Sequence, residues 1–388
     1  MCLRSSRQAS SLQLLLPLLL LLLVGWIAPI AVSGLGRGLK ARFQDIWREH
    51  GPLNSSDLTL LRRQAWEMFD HGFAHYMKHA FPMDNLLPCT CRGKNWQGGL
   101  GLTLVDSLDT LALMDRRADL LEGVELLRGS LDFDKDVEVH VFETSIRVLG
   151  GLVSGHVLLE RDSSLVPGYD GLLLHKAVEL ADRLLPAFDT PSGLPALFVN
   201  LRTGIVQPKG RMKTSNTCTA CAGTLLLEFG MLSALTGNSV YMDHAHRCAK
   251  TVYEKRSKLG LVGSSLDVNT EAWTSRESTI GPGIDSYYEY LLKAYLMFGD
   301  EDYLEMFSEL YASTMRWMTL PVNELGYSFL GDVNMDSGKL TRPFVSALGA
   351  FWPGMQALAG QEDDAVQLHA NFTAAWRAFG WMQRCLVW

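Results

Sequence analysis

Basic charge is scarce in this chain. Its 388 residues carry 35 Lys and Arg against 42 Asp and Glu, a formal net charge of −7. No dense basic run occurs either, and together these exclude a nucleic-acid-binding surface; the short basic stretch Lys209–Ser215 reads as solvated loop. No segment repeats at a fixed period, which argues against a regular solenoid. Cysteine is sparse, seven in all, with Cys2 at the extreme N-terminus. Cys218-Thr219-Ala220-Cys221 has metal or redox spacing, but without a second pair or a His cluster near it the motif reads as structural or incidental. What is present, 47% apolar and 20% charged residues, describes a globular protein with a sizeable core.

The N-terminus carries a targeting signal. Arg4 and Arg7 precede an almost unbroken apolar run from Leu12 to Val32, closed by Ser33-Gly34. A basic head, a leucine-rich middle and small residues after it make a secretory signal. The run is also long enough, at about 20 residues, to span a bilayer uncut. Residues 1–34 are therefore expected to be a signal peptide or signal anchor, 35–55 a linker, and the remainder a luminal domain. Two glycosylation sequons, Asn54-Ser55-Ser56 and Asn371-Phe372-Thr373, agree with that compartment.

From residue 56 the pattern is helical nearly everywhere. Apolar residues at helical spacing predict helices over 56–80, 102–114, 116–129, 141–156, 172–185, 218–235, 240–256, 286–298, 303–318, 345–358 and 363–379. A Pro/Cys/Gly-rich loop fills 82–101, and alternation with turn residues predicts β-hairpins over 193–208 and 261–273. Apolar helices end repeatedly in a short Gly/Asp turn, as at Gly237-Asn238 and Gly299-Asp300, and a second helix follows. Helix pairs of this kind stack their apolar faces. The predicted fold is all-α, an α/α toroid with small hairpins at one end.

Several charged residues stand in unusual company. Glu143 and Arg147 fall one turn apart on a helix face, and read either as an ion pair at a packed crossing or as a helix-borne catalytic carboxylate with its orienting cation. Gly150-Gly151 interrupts that helix, a costly choice unless another backbone comes close. Asp106 and Asp109 lie one turn apart in an apolar helix, where one of them is expected to cap or bridge neighbours. Glu228, inside LLLEFG, must be paired or face a polar opening unless it sits on a solvent stripe. In GPGIDSYYEY, Asp285 or Ser286 is placed to cap a helix, and Ser286 with Glu289 fits a capping box. The same glycine turn with three tyrosines also suits the rim of a sugar pocket, where helix-start carboxylates would serve acid/base work on a glycoside.

Four ordered segments, LGLTLVDSLDTL, VFETSIRVLGGLVSGH, TLLLEFGMLSALTG and GIDSYYEYLLKAYLMFGD, resemble signatures of the class I α-1,2-mannosidases, glycoside hydrolase family 47. LLPCTCRG, LLPAFDTPSGLP and FWPGMQAL add to the resemblance, which covers roughly Trp66 to Gly380 and is nearest to the ER-degradation-enhancing α-mannosidase-like subgroup. It implies an (α/α)7 barrel that trims α-1,2-linked mannose from N-glycans with inversion, in the lumen or at the membrane of the endoplasmic reticulum. On that scheme Glu143 protonates the leaving oxygen through a water, Arg147 orients it, and Asp285 is the second active-site carboxylate. Glu228 and Glu289 join Arg147 as substrate contacts. The implied cofactor is Ca²⁺, suited to sugar hydroxyls as a hard, oxygen-seeking ion. The implied partners are high-mannose glycans, misfolded glycoproteins and a luminal oxidoreductase.

The family pattern also includes a downstream Arg-Pro-Glu segment, source of the proposed base, and an Asn-Thr-Glu-Ala-His-Pro segment with the calcium-binding Thr. Neither occurs in this chain. Asn269-Thr270-Glu271-Ala272-Trp273 imitates the second but precedes GIDSYYEY, so no metal role is carried onto Thr270. The expectation is therefore a partial barrel over 56–388, with no metal ligand of its own and the ending WMQRCLVW off the family pattern. Activity of such a chain would be in question, since an inverting glycosidase needs two carboxylates flanking the scissile bond. The alternatives are a non-catalytic binder of glycans or misfolded glycoproteins, and a membrane-anchored helical scaffold without a sugar site.

Overall fold

A computed structural model describes residues 54–206, 215–322, 327–379 and 385–387. The signal segment, all but the last two residues of the linker, the basic stretch up to 214 and the segment 380–384 lie outside the described residues. Two compact units are present: a larger one, His75–Thr319 with Leu330–Pro343, and a smaller one, Met1–Ala74, Leu320–Phe329 and Phe344–Trp388.

In the smaller unit, helix α1 (Ser55–His79, counted here to Ala74) begins at a reciprocal cap. The Asn54 carboxamide oxygen accepts from the Asp57 amide at 3.0 Å while the Asp57 carboxylate accepts from the Asn54 amide at 3.1 Å. Asn371 is buried, and its side-chain nitrogen donates to the Ser328 carbonyl at 2.6 Å. That nitrogen is the one a glycan would need, so of the two sequons only Asn54 is exposed for modification.

The larger unit contains β1 (Asn85–Leu87), β2 (Arg92–Lys94), α2 (Leu102–Val105), α3 (Leu108–Leu113), α4 (Arg117–Ser130), β3 (Glu138–His140) and α5 (Val141–Glu143). A π-helical turn, Thr144–Leu149, leads into α6 (Gly150–Arg161) and then α7 (Leu172–Leu184). There follow β4 (Phe198–Asn200), β5 (Asn216–Cys218), α8 (Thr219–Gly223), α9 (Leu226–Thr236), α10 (Val240–Glu254), β6 (Ser265–Asp267), β7 (Trp273–Ser275) and β8 (Glu277–Ser278). Helices α11 (Asp285–Phe298) and α12 (Glu301–Met318), with β9 (Asp332–Asn334) and β10 (Leu340–Arg342), complete it.

Successive helices pack in pairs, α6 with α7, α9 with α10 and α11 with α12. The second member of each pair buries one stripe: in α7 Leu173, Ala177, Leu180, Ala181 and Leu184, spaced i, i+4, i+7, i+8 and i+11. By contrast α9 buries Leu226, Glu228, Phe229, Gly230 and Leu232, which wrap around its axis, as an interior helix must. Gly237 and Gly299 end α9 and α11 in the left-handed region, the turns anticipated from sequence. The expected class, helix pairs with small antiparallel sheets, is what this unit presents.

One hairpin is as expected, β6 with β7. The other is not: among the described residues 193–206 the one strand, β4, pairs with β3, sixty residues earlier. Its alternation was real, but the partner is non-local. The helix expected over 102–114 is likewise broken at Asp106-Ser107.

Gly150-Gly151 has the anticipated cause. A Cβ on Gly151 would lie 2.4 Å from the Val105 carbonyl oxygen, whereas one on Gly150 would make ordinary contacts, 3.6 Å from Glu228 Cγ. Gly151→Ala is expected to destabilise the protein by about 2 kcal/mol through overpacking against backbone. Gly150→Ala should be neutral or stabilising by up to about 1 kcal/mol. Urea unfolding of the two variants side by side checks the contrast.

Candidate active site

The site is built from three neighbouring stretches of the larger unit. The first is the start of the α5–α6 helix. Glu143 Oε2 accepts from Arg147 Nε at 2.8 Å, so the pair read from sequence forms. Arg147 also reaches toward Asp106, 3.8 Å away, and thus bridges two acids. Burial raises the pKa of Asp106 above the ordinary carboxylate range, against the lowering pull of Arg147. Asp109 instead accepts from Ser154 Oγ at 3.0 Å. Arg147 lies within the π-helical turn, which widens the helix one residue beyond Glu143; such turns re-aim side chains and recur at functional sites.

The second stretch is α9. Glu228 is only 8% exposed, so it is not on a solvent stripe. The Tyr290 hydroxyl donates to its Oε1 at 2.6 Å, while Oε2 is buried without a hydrogen-bond partner. Burial pushes its pKa up to about 7 from an ordinary 4.5, with the Tyr290 hydrogen bond and Lys293 working in the other direction. Helix α6 passes over this side chain at Gly150, where a Cβ would lie in ordinary contact with it, 3.6 Å from Glu228 Cγ.

The third is the start of α11. Burial, and then the neighbouring charges of Glu289 and Glu143, raise the Asp285 pKa, while hydrogen bonds from Ser286 lower it. Glu143 and Asp285 therefore act on one another electrostatically, as do Glu228 and Glu289. The capping box does not form. Asp285 Oδ1 accepts from Ser286 N at 2.8 Å, the Ser286 hydroxyl meets Thr224 Oγ1 at 2.9 Å, and Glu289 pairs with Lys293 at 2.6 Å. With local partners taken elsewhere, the cap lacks its side-chain bonds.

One residue that sequence reasoning passed over organises the approach to Glu143. Asp84, fully buried, accepts four backbone amides: Trp96, Gln97 and Gly99 on Oδ2 and Leu100 on Oδ1, at 2.6–3.0 Å. Gln97, held there, accepts through Oε1 from the His140 amide at 3.0 Å and from Thr144 Oγ1 at 3.4 Å. His140 Nδ1 in turn accepts from the Glu143 amide at 3.4 Å. The available signal was a lone aspartate opening a stretch rich in Gly98, Gly99 and Gly101, all at positive φ.

Among the described residues, no three His, Cys, Asp or Glu side chains gather to hold a metal. Thr270 spends its amide and hydroxyl on Asp267 Oδ1, at 2.9 and 3.1 Å, in the exposed β6–β7 turn.

Glu228's unusual protonation gives a separable prediction. Its folded-state pKa is raised, so its neutral form is favoured by folding. The associated stability is present below about pH 4.5 and lost as pH rises to about 7, about 3 kcal/mol in total. Glu228→Gln should remove that slope. Urea unfolding at several pH values on wild type and variant measures it, and parallel profiles would assign the slope to another group.

The larger unit thus carries, on separate helices, a buried carboxyl whose pKa is raised and another acid clamped by arginine. The chain belongs to glycosyl hydrolase family 47, whose model matches residues 68–383. It is by family a hydrolase of the glycosidase class. It is 43% identical over 337 residues to alpha-mannosidase I MNS4 of Arabidopsis thaliana, covering 85% of this chain and 52% of that protein. It is 40% identical over 338 residues to the human ER degradation-enhancing alpha-mannosidase-like protein 2, covering 85% and 56%. Among solved structures, the alpha-1,2-mannosidase from Trichoderma reesei superposes with a TM-score of 0.76 at 28% identity, covering 84% of this chain and 71% of that one. The chain spans about half the length of these two curated relatives.

Proposed function

We propose that this chain is a glycosidase that removes α-1,2-linked mannose from high-mannose N-glycans in the endoplasmic reticulum, serving glycoprotein quality control and degradation. The observation that carries this reading is the buried, half-partnered Glu228 in the same unit as the Arg147-clamped Glu143 and the start of α11 at Asp285, within a chain of glycosyl hydrolase family 47. Glu143, oriented by Arg147, would protonate the leaving oxygen through a water. Asp285 would supply the second carboxylate of an inverting pair. Glu228 and Glu289 would accept from sugar hydroxyls, the buried, unpartnered Oε2 of Glu228 being an acceptor in want of a donor.

The N-terminal signal and the similarity to the human ER degradation-enhancing alpha-mannosidase-like protein 2 support the ER location. Misfolded glycoproteins would be the natural carriers of the substrate, and a luminal oxidoreductase a further partner. The family's calcium has no described ligand set here, so its dependence is part of the family expectation alone.

The test is mannose release from a defined high-mannose oligosaccharide by the full chain produced in a secretory host, followed by chromatography and NMR of the anomeric product. Release of β-mannose, the inverted anomer, supports the reading. Glycan binding without release would instead establish the non-catalytic alternative.

A further inference from the structure

Cys218 and Cys221 form a disulfide across three residues. Two features separate it from a structural cross-link. It closes a very short loop, and the restriction a disulfide places on the unfolded chain is smallest for the shortest loops. The surrounding turn is also held by bonds that do not involve sulfur. Thr219 donates through its amide to the Ser264 carbonyl at 3.2 Å and through Oγ1 to the Gly263 carbonyl at 2.6 Å. The Ala220 amide donates to Gly283 O at 2.8 Å, and Cys218 ends a strand paired with β6. Breaking the S–S bond leaves this frame in place.

The two sulfurs are not equivalent. Cys218 is part-exposed, whereas Cys221 is 7% exposed. The Cys221 amide donates to Cys218 Sγ at 2.8 Å, a bond that strengthens when that sulfur carries negative charge. An accessible sulfur with a built-in thiolate donor, tied to a shielded partner three residues beyond it in C-x-x-C spacing, is the arrangement that thiol–disulfide exchange requires.

We propose that Cys218–Cys221 is a redox-active pair that oxidises thiols of a bound polypeptide. A client thiolate attacks Cys218 Sγ, forming a client–Cys218 mixed disulfide and expelling Cys221 as a thiolate that takes up a proton. A second client thiolate then attacks the client sulfur of that bond and expels Cys218, whose thiolate the Cys221 amide receives. The client dithiol is oxidised to a disulfide, and the Cys218–Cys221 disulfide is reduced to two thiols. Cys248 takes no part: it is fully buried, and burial pushes its thiol up to about 12.

The experiment uses the full oxidised chain and a synthetic dithiol peptide, with no glycan present, so its outcome is independent of the glycosidase reading. Acid quenching, alkylation and mass spectrometry should find about one peptide disulfide formed per chain, with Cys218 and Cys221 newly alkylated and Cys248 unmodified. Cys218→Ser should reduce peptide oxidation at least tenfold. With oxidised glutathione, Cys221→Ala should form a glutathione mixed disulfide on Cys218, releasing one reduced glutathione, with circular dichroism unchanged. The proposal is overturned if the pair stays oxidised in the native chain until denaturant is added. It is equally overturned if reduction unfolds the chain, or if Cys218→Ser oxidises the peptide as fast as the wild type.

Discussion

Glu143→Gln should lower mannose release by about 10²–10⁴-fold, or about 3–5 kcal/mol of transition-state stabilisation, while leaving glycan affinity nearly unchanged. Glutamine keeps the shape and still accepts from Arg147 Nε, so the helix start and the bridge to Asp106 survive. What it cannot do is deliver a proton. A loss confined to kcat, with Tm within about 1 °C of wild type, identifies a transition-state role. A matching rise in KM would instead make Glu143 a ground-state sugar contact. The pH profile adds a second check. If Asp285 works as a carboxylate, burial and its acidic neighbours raise the pKa below which it is lost. Activity should then fall on the acid side earlier than an ordinary aspartate would dictate.

The fold was largely legible because its signals are local. The stripe of α7, the Gly/Asp turns after α9 and α11 and the β6–β7 hairpin each follow from residues within one or two turns of one another. The Gly151 contact was legible in kind but not in partner, since nothing in the glycine names Val105. Where partners are distant, local reading failed in instructive ways. Strand β4 alternates as a hairpin would, yet its ladder is with β3. Ser286 and Glu289 have the spacing of a capping box, but a hydroxyl on Thr224 and an amine on Lys293 compete for the same groups and hold them. At Asn371 a sequon reads as an acceptor until tertiary packing hides its nitrogen.

The candidate site divides along the same line. The Glu143–Arg147 pair is encoded by helical spacing alone. That Glu228 is buried with one oxygen unpartnered depends on its surroundings, including Tyr290 from another helix, which takes only Oε1. A redox reading of Cys218–Cys221 likewise needed the unequal exposure of its sulfurs, which spacing does not contain.

Asp84→Ala should be among the most damaging single substitutions in this chain, costing about 4 kcal/mol. The carboxylate gathers four backbone amides, and hydrogen bonds to a charged acceptor are worth about 1.5–3 kcal/mol each, though not additively. Alanine leaves the amides of Gln97 and Leu100 buried without that acceptor, and opens a small cavity beneath the loop. Asp84→Asn would relieve little, because a carboxamide offers one accepting oxygen and turns an NH₂ toward donors. The consequence extends beyond stability. Gln97 takes its position from Asp84 and accepts from His140 N and Thr144 Oγ1, the residues that flank α5 at its two ends. Losing the loop should therefore misplace Glu143 even in molecules that remain folded. Urea unfolding measures the first effect. Mannose release per folded molecule, at a temperature where the variant is still native, measures the second, and a normal value there would show that Gln97 does not position the acid.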